Sequence, residues 1–221
     1  VTGLPVWVDV TAMAANGFFA AAVARNRGFP VFGTLMAGIL VGLGGGMVRD
    51  VLLDLEPAAI AGWYYIPAVI TASIVGALVF SRVVRMPTPA LFASGVVWGL
   101  LVAIGVQKAV DYDAPAASAI FLGVVTTTVG GVLVDAMSQK RATIAKQAHW
   151  TLTALVVGSA VFWVATVTLG FWVALAAGVA TTTILRVLSV RRDWPSPTWP
   201  GEPVTDHPTD AIPEVRDAKA D

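Results

Sequence analysis

The sequence predicts an all-α membrane protein of seven transmembrane helices, built as two inverted three-helix repeats plus a seventh helix. Three observations predict it. The chain is 57% hydrophobic and 13% charged, with a mean hydropathy of +0.77, whereas soluble domains carry about 25% charged residues. Its apolar residues fall into stretches near the roughly 20 residues that a helix needs to cross the hydrocarbon core. A pattern of glycines followed by an aspartate, in the second stretch, returns in the fifth.

Taken in order, the predicted spans are Pro5–Ala24, Pro30–Leu53, Tyr64–Val84, Pro89–Ala109, Ala116–Met137, His149–Thr168 and Phe171–Leu188. No cationic segment precedes the first, so it reads as a helix of the mature protein rather than a signal peptide. Short polar loops separate the spans, and Gly170 alone nearly divides the last two. Residues 1–192 therefore form one transmembrane domain, with repeat one at about 5–84, repeat two at about 89–168 and the seventh helix at about 171–188. From Asp193 to Asp221 the chain holds six prolines and seven acids, a composition too polar to bury a core, which predicts a disordered cytoplasmic tail.

Basic residues set the orientation. Arg25 and Arg27 follow span one, Arg82 and Arg85 follow span three, and Lys140, Arg141 and Lys146 follow span five. Arg186, Arg191 and Arg192 end span seven, and only Lys108 flanks the other side. The excess of Lys and Arg on cytoplasmic loops then puts the N-terminus outside and the C-terminus in the cytoplasm of a cell membrane. Asp54, Glu56, Asp111 and Asp113 fall on the outer side. They form either a rim that concentrates cations or plain solvated loop charge.

Composition also excludes chemistry. Cysteine is absent, which removes disulfides, thiolate metal sites and cysteine nucleophiles together. The two histidines, His149 and His207, stand at a helix start and in the tail, a poor basis for a metal site. No nucleophile–base pair or P-loop appears, since Gly44-Gly45-Gly46-x-x-Arg49 lacks the Lys-Ser/Thr of that motif. An enzyme, a cofactor and a nucleic-acid partner are not expected; membrane lipid is.

Asp50 aligned with Asp135 places Gly45-Gly46 over Gly130-Gly131, and aromatic clusters (Trp63-Tyr64-Tyr65, and Trp150 after His149) follow each at similar spacing. Three spans per unit make the two copies enter the membrane in opposite directions, an inverted repeat of the kind found in transporters. The halves are electrically unequal. Val134 stands where repeat one has Arg49, and Ser94 where it has Asp9.

The run Gly42-x-Gly44-Gly45-Gly46-x-x-Arg49-Asp50-x-Leu52-Leu53, with Ile104-Gly105-Val106-Gln107-Lys108-Ala109 closing span four, resembles the bacterial trimeric intracellular cation (TRIC) channels. That superfamily also takes in proteins catalogued as bacterial glycine transporters. The likeness covers about residues 5 to 192. It implies a homotrimer in which each protomer holds its own pore around spans two and five, passing a monovalent cation, potassium by resemblance.

Residue by residue, each reading has an alternative. Gly42, Gly44, Gly45 and Gly46, and Gly130 with Gly131, predict helix breaks whose freed carbonyls meet ions; alternatively they let helices pack closely. Arg49 is a gate opposing cations, or it snorkels to the outer interface. Adjacent on a helix, Arg49 and Asp50 project about 100° apart and need not pair. Asp135 either faces the path or is satisfied by Lys140 or Arg141, and Asp9, one turn inside span one, either faces the cavity or does not. Lys108 is a tethered cation in the pore mouth, or it pairs with Asp111 or the helix terminus. Thr126, Thr127 and Thr128 coordinate an ion or bond to the preceding turn. Trp7, Trp63, Trp150 and Trp172 read as interfacial anchors. A passive cation channel is the expected function, with a carrier for glycine or another small neutral amino acid as the alternative.

Overall fold

Residues 5–85, 87–137, 150–192 and 194 are described by a computed structural model, with side chains at all of these except 80–85, 87, 135 and 137. Within them lie α1 (Val6–Asn26), α2 (Val31–Leu52), α3 (Ala58–Ala61), α4 (Tyr65–Arg85), α5 (Pro87–Asp111), α6 (Ala116–Met137), α7 (Thr151–Leu169) and α8 (Phe171–Arg191), and no strand. Six of these helices are long and apolar enough to cross a membrane. In α4 the stretch Tyr65–Val79 is a shorter apolar helix. Boundaries fall within a few residues of the predicted spans; α7 starts at Thr151 rather than His149, and α8 runs on to Arg191. The predicted tail 193–221, Trp194 apart, and Lys140, Arg141, Lys146 and His149 lie outside the described residues.

Local chemistry sets the ends. Pro5, Pro30, Pro57 and Pro115 each stand immediately before a helix, where a missing N–H leaves nothing unsatisfied and a fixed φ suits the first turn. Chain reversal follows from left-handed residues. Gly28 (φ 81°) ends α1 and Gly170 (φ 89°) separates α7 from α8. Asp54 and Asp113, both at φ 56°, do the same after α2 and α5. Beyond each aspartate the N–H folds back onto the helix, Leu55 to the Asp50 carbonyl at 2.9 Å and Ala114 to the Ala109 carbonyl at 3.0 Å. Left-handed geometry suits Gly and tolerates Asp but crowds a β-branched side chain. Asp113→Val should therefore lower stability by about 1–2 kcal/mol, and Asp113→Gly should not, as read by thermal unfolding in detergent.

Between helices in lipid there is little hydrophobic drive, so close approach and dispersion hold them together. The chain supplies small residues where helices meet. A Cβ on Gly38 would overlap the Ser73 side chain and stand 3.1 Å from the Gly17 carbonyl oxygen. One repeat later, a Cβ on Gly123 would stand 2.6 Å from Ser159 Oγ and 3.2 Å from the Val102 carbonyl oxygen. The register that sets Asp135 against Asp50 places Gly17 and Gly38 on Val102 and Gly123, with Ser159 one residue beyond the counterpart of Ser73. α1 packs on α2 and α4, α5 on α6 and α8, α7 on α8, and α2 crosses α6 to join the two groups. Trp7, Trp63 and Trp172 are exposed at or beside helix ends, where an amphipathic ring suits a membrane interface.

Candidate functional site

At one end of the bundle, four helices bring their charged residues together. The start of α1 supplies Asp9, the end of α2 Arg49 and Asp50, the start of α4 Tyr65, and the end of α5 Lys108. Arg49 and Asp50 are wholly buried, both at 0% exposure. Arg49 Nε donates to Asp50 Oδ1 at 2.8 Å, and Lys108 Nζ donates to the same oxygen at 2.8 Å. Asp50 Oδ2 accepts from the backbone N–H of Ala58 at 2.8 Å, which caps α3 and ties the α2–α4 loop down over the cluster. Tyr65 donates its hydroxyl to Asp9 Oδ2 at 2.8 Å. Asp9 Oδ1 lies 3.7 Å from Arg49 Nη1, beyond hydrogen-bond reach. Two cations face two carboxylates, so the cluster is formally neutral, as a low-dielectric site requires.

Some bonding capacity is left over. Arg49 carries five N–H donors. Among the described residues its Nη1 and Nη2 have no hydrogen-bond partner, nor has Asp9 Oδ1. Unused donors on a buried guanidinium, beside an unused carboxylate oxygen, are complementary to a group that is both acceptor and donor.

Lys108 thus pairs with Asp50, correcting the expected partner Asp111. Asp111 instead accepts from Gln107 Nε2 at 2.8 Å, one turn away on the same helix. The reason is competition for a lysine. Buried Asp50 gains more from it than partly exposed Asp111, since an ion pair is screened less where water is excluded. Arg49 does not snorkel, because Asp50 beside it and Asp9 across from it hold it inside. Sequence spacing marks Tyr65 only as one of an aromatic cluster and carries no sign of its bond to Asp9.

The glycines act differently from the predicted helix breaks. α2 is continuous from Val31 to Leu52 and α6 from Ala116 to Met137, so neither Gly42, Gly44, Gly45 and Gly46 nor Gly130 and Gly131 interrupts a helix. Glycine permits another geometry without forcing it. Helical Gly costs only about 1 kcal/mol relative to Ala, less than leaving backbone groups unsatisfied in hydrocarbon. What the glycines do is bring α2 against α6. A Cβ on Gly45 would land on the Thr126 carbonyl oxygen, and a Cβ on Gly130 would stand 2.6 Å from Val41 Cα. Residue numbers rise on one helix as they fall on the other, so the two run antiparallel. Val41 and Thr126 are themselves counterparts in the repeat register, so the contact is reciprocal. A Cβ on Gly44 would stand 3.3 Å from Leu133 Cδ1 and 3.7 Å from Gly130 Cα, Gly42 and Gly46 seat Val69 and Met13, and among the described residues a Cβ on Gly131 would meet nothing within 4 Å.

Thr126, Thr127 and Thr128 bond to the carbonyls of Leu122, Gly123 and Val124 on the preceding turn, at 2.7, 3.0 and 2.9 Å. That is the local role, rather than a coordinating one. Asp135 lies on α6 near its end, but its side chain is outside the described residues. Its neighbour Val134, counterpart of Arg49, packs in an apolar cluster with Ala24, Ala37, Phe29, Leu40 and Val41. Among the described residues, the crossing therefore has ionic groups toward one end and this apolar cluster toward the other.

Charged groups gathered inside an all-helical bundle, with aromatic and aliphatic side chains turned outward, define a multi-pass membrane protein. Comparison with known proteins places it further. The family model described as Glycine transporter matches twice in tandem, over residues 6–82 and 91–167. The inner membrane protein YadS of Escherichia coli is 27% identical over 205 residues, covering 89% of this chain and 96% of that protein. A membrane protein of Vibrio cholerae is 27% identical over 174 residues, 76% of this chain and 71% of the other. Among solved structures, a TRIC cation channel studied for its conductance superposes with a TM-score of 0.78 at 25% identity, over 92% of this chain and all (100%) of that one. The TRIC orthologue from Rhodobacter sphaeroides gives 0.76 at 23% identity, over 85% and 97%. The chain belongs to the Glycine transporter family and is a bacterial TRIC-type member of it.

Proposed function

We propose that this protein is a passive monovalent cation channel, potassium being the permeant ion expected. Each protomer of a homotrimer carries its own path along the α2–α6 crossing, and the mechanism needs no cofactor. The observation that carries the reading is the reciprocal contact of Gly45 with Thr126 and Gly130 with Val41. It is a close main-chain contact near the middle of both helices, with the Asp9–Arg49–Asp50–Lys108 cluster at its mouth. Its resemblance in fold to TRIC cation channels supports the same reading. The tandem family match and the reciprocal antiparallel contact support seven spans arranged as two inverted repeats plus α8. The basic residues support an outer N-terminus and a cytoplasmic C-terminus, which would set the ionic mouth outside and the Val134 cluster inside.

In this arrangement the crossing is shut, because the helices touch. Conduction requires α2 and α6 to part, exposing main-chain oxygens to a partly dehydrated ion. Lys108 and Arg49 at the mouth oppose a cation unless Asp50 and Asp9 neutralise them, so the ion pairs set the local barrier.

A second reading has its own support. The unpartnered Nη groups of Arg49 beside Asp9 Oδ1 would suit the carboxylate and ammonium of a small zwitterion, in a carrier for glycine or a similar amino acid. Purified protein in a planar bilayer under a KCl gradient, with matched proteoliposomes given labelled glycine, separates the two. The channel reading expects unitary cation-selective currents and no saturable glycine uptake. Saturable uptake without unitary currents would replace it with the carrier.

A further inference from the structure

Halfway along α1, Asn16 is a buried amide (4% exposed) whose Nδ2 donates 2.8 Å to the Val41 carbonyl oxygen halfway along α2. Val41 is where Gly130 abuts α2, the Cβ of an alanine there falling 2.8 Å from that same carbonyl oxygen. Asn16, Val41 and, by the reciprocal contact, Thr126 thus share the central layer of the protomer. We propose that Asn16 is a selectivity-determining residue of this layer. Its amide, together with the Val41 and Thr126 main-chain oxygens, forms the polar collar met by a partly dehydrated monovalent cation when α2 and α6 part.

Packing alone does not call for an amide here. The counterpart of Asn16 in the second repeat is Leu101, buried to 2% exposure in an apolar cluster. The same fold position is therefore filled stably by a hydrocarbon. Hydrogen bonding within α2 does not call for one either, because α2 is continuous through Val41 and a helix satisfies its own ladder. Inside a membrane a buried polar side chain is costly unless it meets a partner or water, and as interhelical glue it contributes only about 0.6 kcal/mol. What Asn16 does supply is a neutral amide, with an oxygen of its own, bonded through Nδ2 to a main-chain carbonyl where Gly130 abuts α2. Neutral oxygens of this kind replace part of a monovalent cation's hydration shell. The second half presents main chain here, because the Thr126 hydroxyl is bonded to the Leu122 carbonyl and faces Gly105 of α5. The side-chain dipole of the layer accordingly comes from Asn16.

The inference rests on the channel reading, and its test separates the two. Full-length wild type, Asn16→Leu and Asn16→Asp are reconstituted in planar bilayers. Reversal potentials under KCl against NaCl and unitary conductances are recorded, and assembly is checked by size-exclusion chromatography. Silence of the wild type overturns the channel reading and this proposal with it. If the wild type conducts, Asn16→Asp should raise unitary potassium conductance by about twofold or more, because a charge in a low-dielectric constriction concentrates cations. Asn16→Leu should lower it and shift the potassium-to-sodium permeability ratio. If Asn16→Leu fails to assemble, Asn16→Ser, smaller but still polar, should assemble and shift the ratio. Unchanged conductance and permeability ratio in the assembled variants, with any loss confined to stability, would make Asn16 a helix–helix tie and overturn the proposal.

Discussion

Asp50→Ala is expected to destabilise the folded protein by about 3–5 kcal/mol, the usual cost of removing one partner from a buried ion pair. Three contacts disappear together: the Arg49 Nε and Lys108 Nζ bonds to Oδ1, and the Ala58 N–H bond to Oδ2. Two cations then share a buried site whose one remaining carboxylate, Asp9, lies 3.7 Å from the nearest guanidinium nitrogen. Thermal unfolding in detergent would read the loss, with Asp54→Ala, a loop acid in a left-handed turn, as the comparison. The mechanism is charge imbalance rather than lost packing, so Asp50→Ala combined with Lys108→Met should recover part of the loss. Neighbouring charges in one network are non-additive in this way. A double variant no better than the sum of its parts would move the effect from charge to the α3 cap.

Gly45→Ala is expected to cost about 1–3 kcal/mol, the range for overpacking a tight contact. Its Cβ would land on the Thr126 main-chain carbonyl, and main chain cannot rotate out of the way as a side-chain tip can. Gly131→Ala is the internal control. One residue from Gly130 on the same helix, its added Cβ would meet nothing within 4 Å among the described residues, so alanine there should gain up to about 1 kcal/mol of helix propensity. Unfolding midpoints of the two variants should move in opposite directions. Were both glycines helix breaks, both alanines would stiffen their helices alike. Equal shifts would therefore restore the broken-helix reading.

Much of the architecture was legible in the sequence because a membrane asks so little of it. A long apolar run can span as a helix, and the spacing of Pro30, Leu53, Pro115 and Gly170 already marks ends that the structure places within a few residues. The tandem repeat was legible too, since Gly-Gly and Asp recur in the register that places Gly38 on Gly123, and the family model matches twice at the same spacing. The site was only half legible. Asp9, Arg49, Asp50 and Lys108 stand out as charges in apolar stretches, but a list of charges does not say which meets which. Asn16 and Tyr65 carry no charge, so their place in an apolar stretch does not mark them.

By itself, the sequence determined that the chain is a bundle of membrane helices, roughly where each helix ends, and that its charged residues are too few to be accidental. These follow from one-dimensional physics: apolar length, glycine and proline geometry, and the cost of charge in hydrocarbon. Only the tertiary structure decided that Lys108 goes to Asp50 rather than Asp111, and that Asp50 also caps α3. It alone decided that the glycines bring two unbroken helices into contact. Each of these depends on which residues of different helices occupy the same few ångströms. In a low-dielectric interior such proximity dominates the energy, and no spacing along a single helix encodes it.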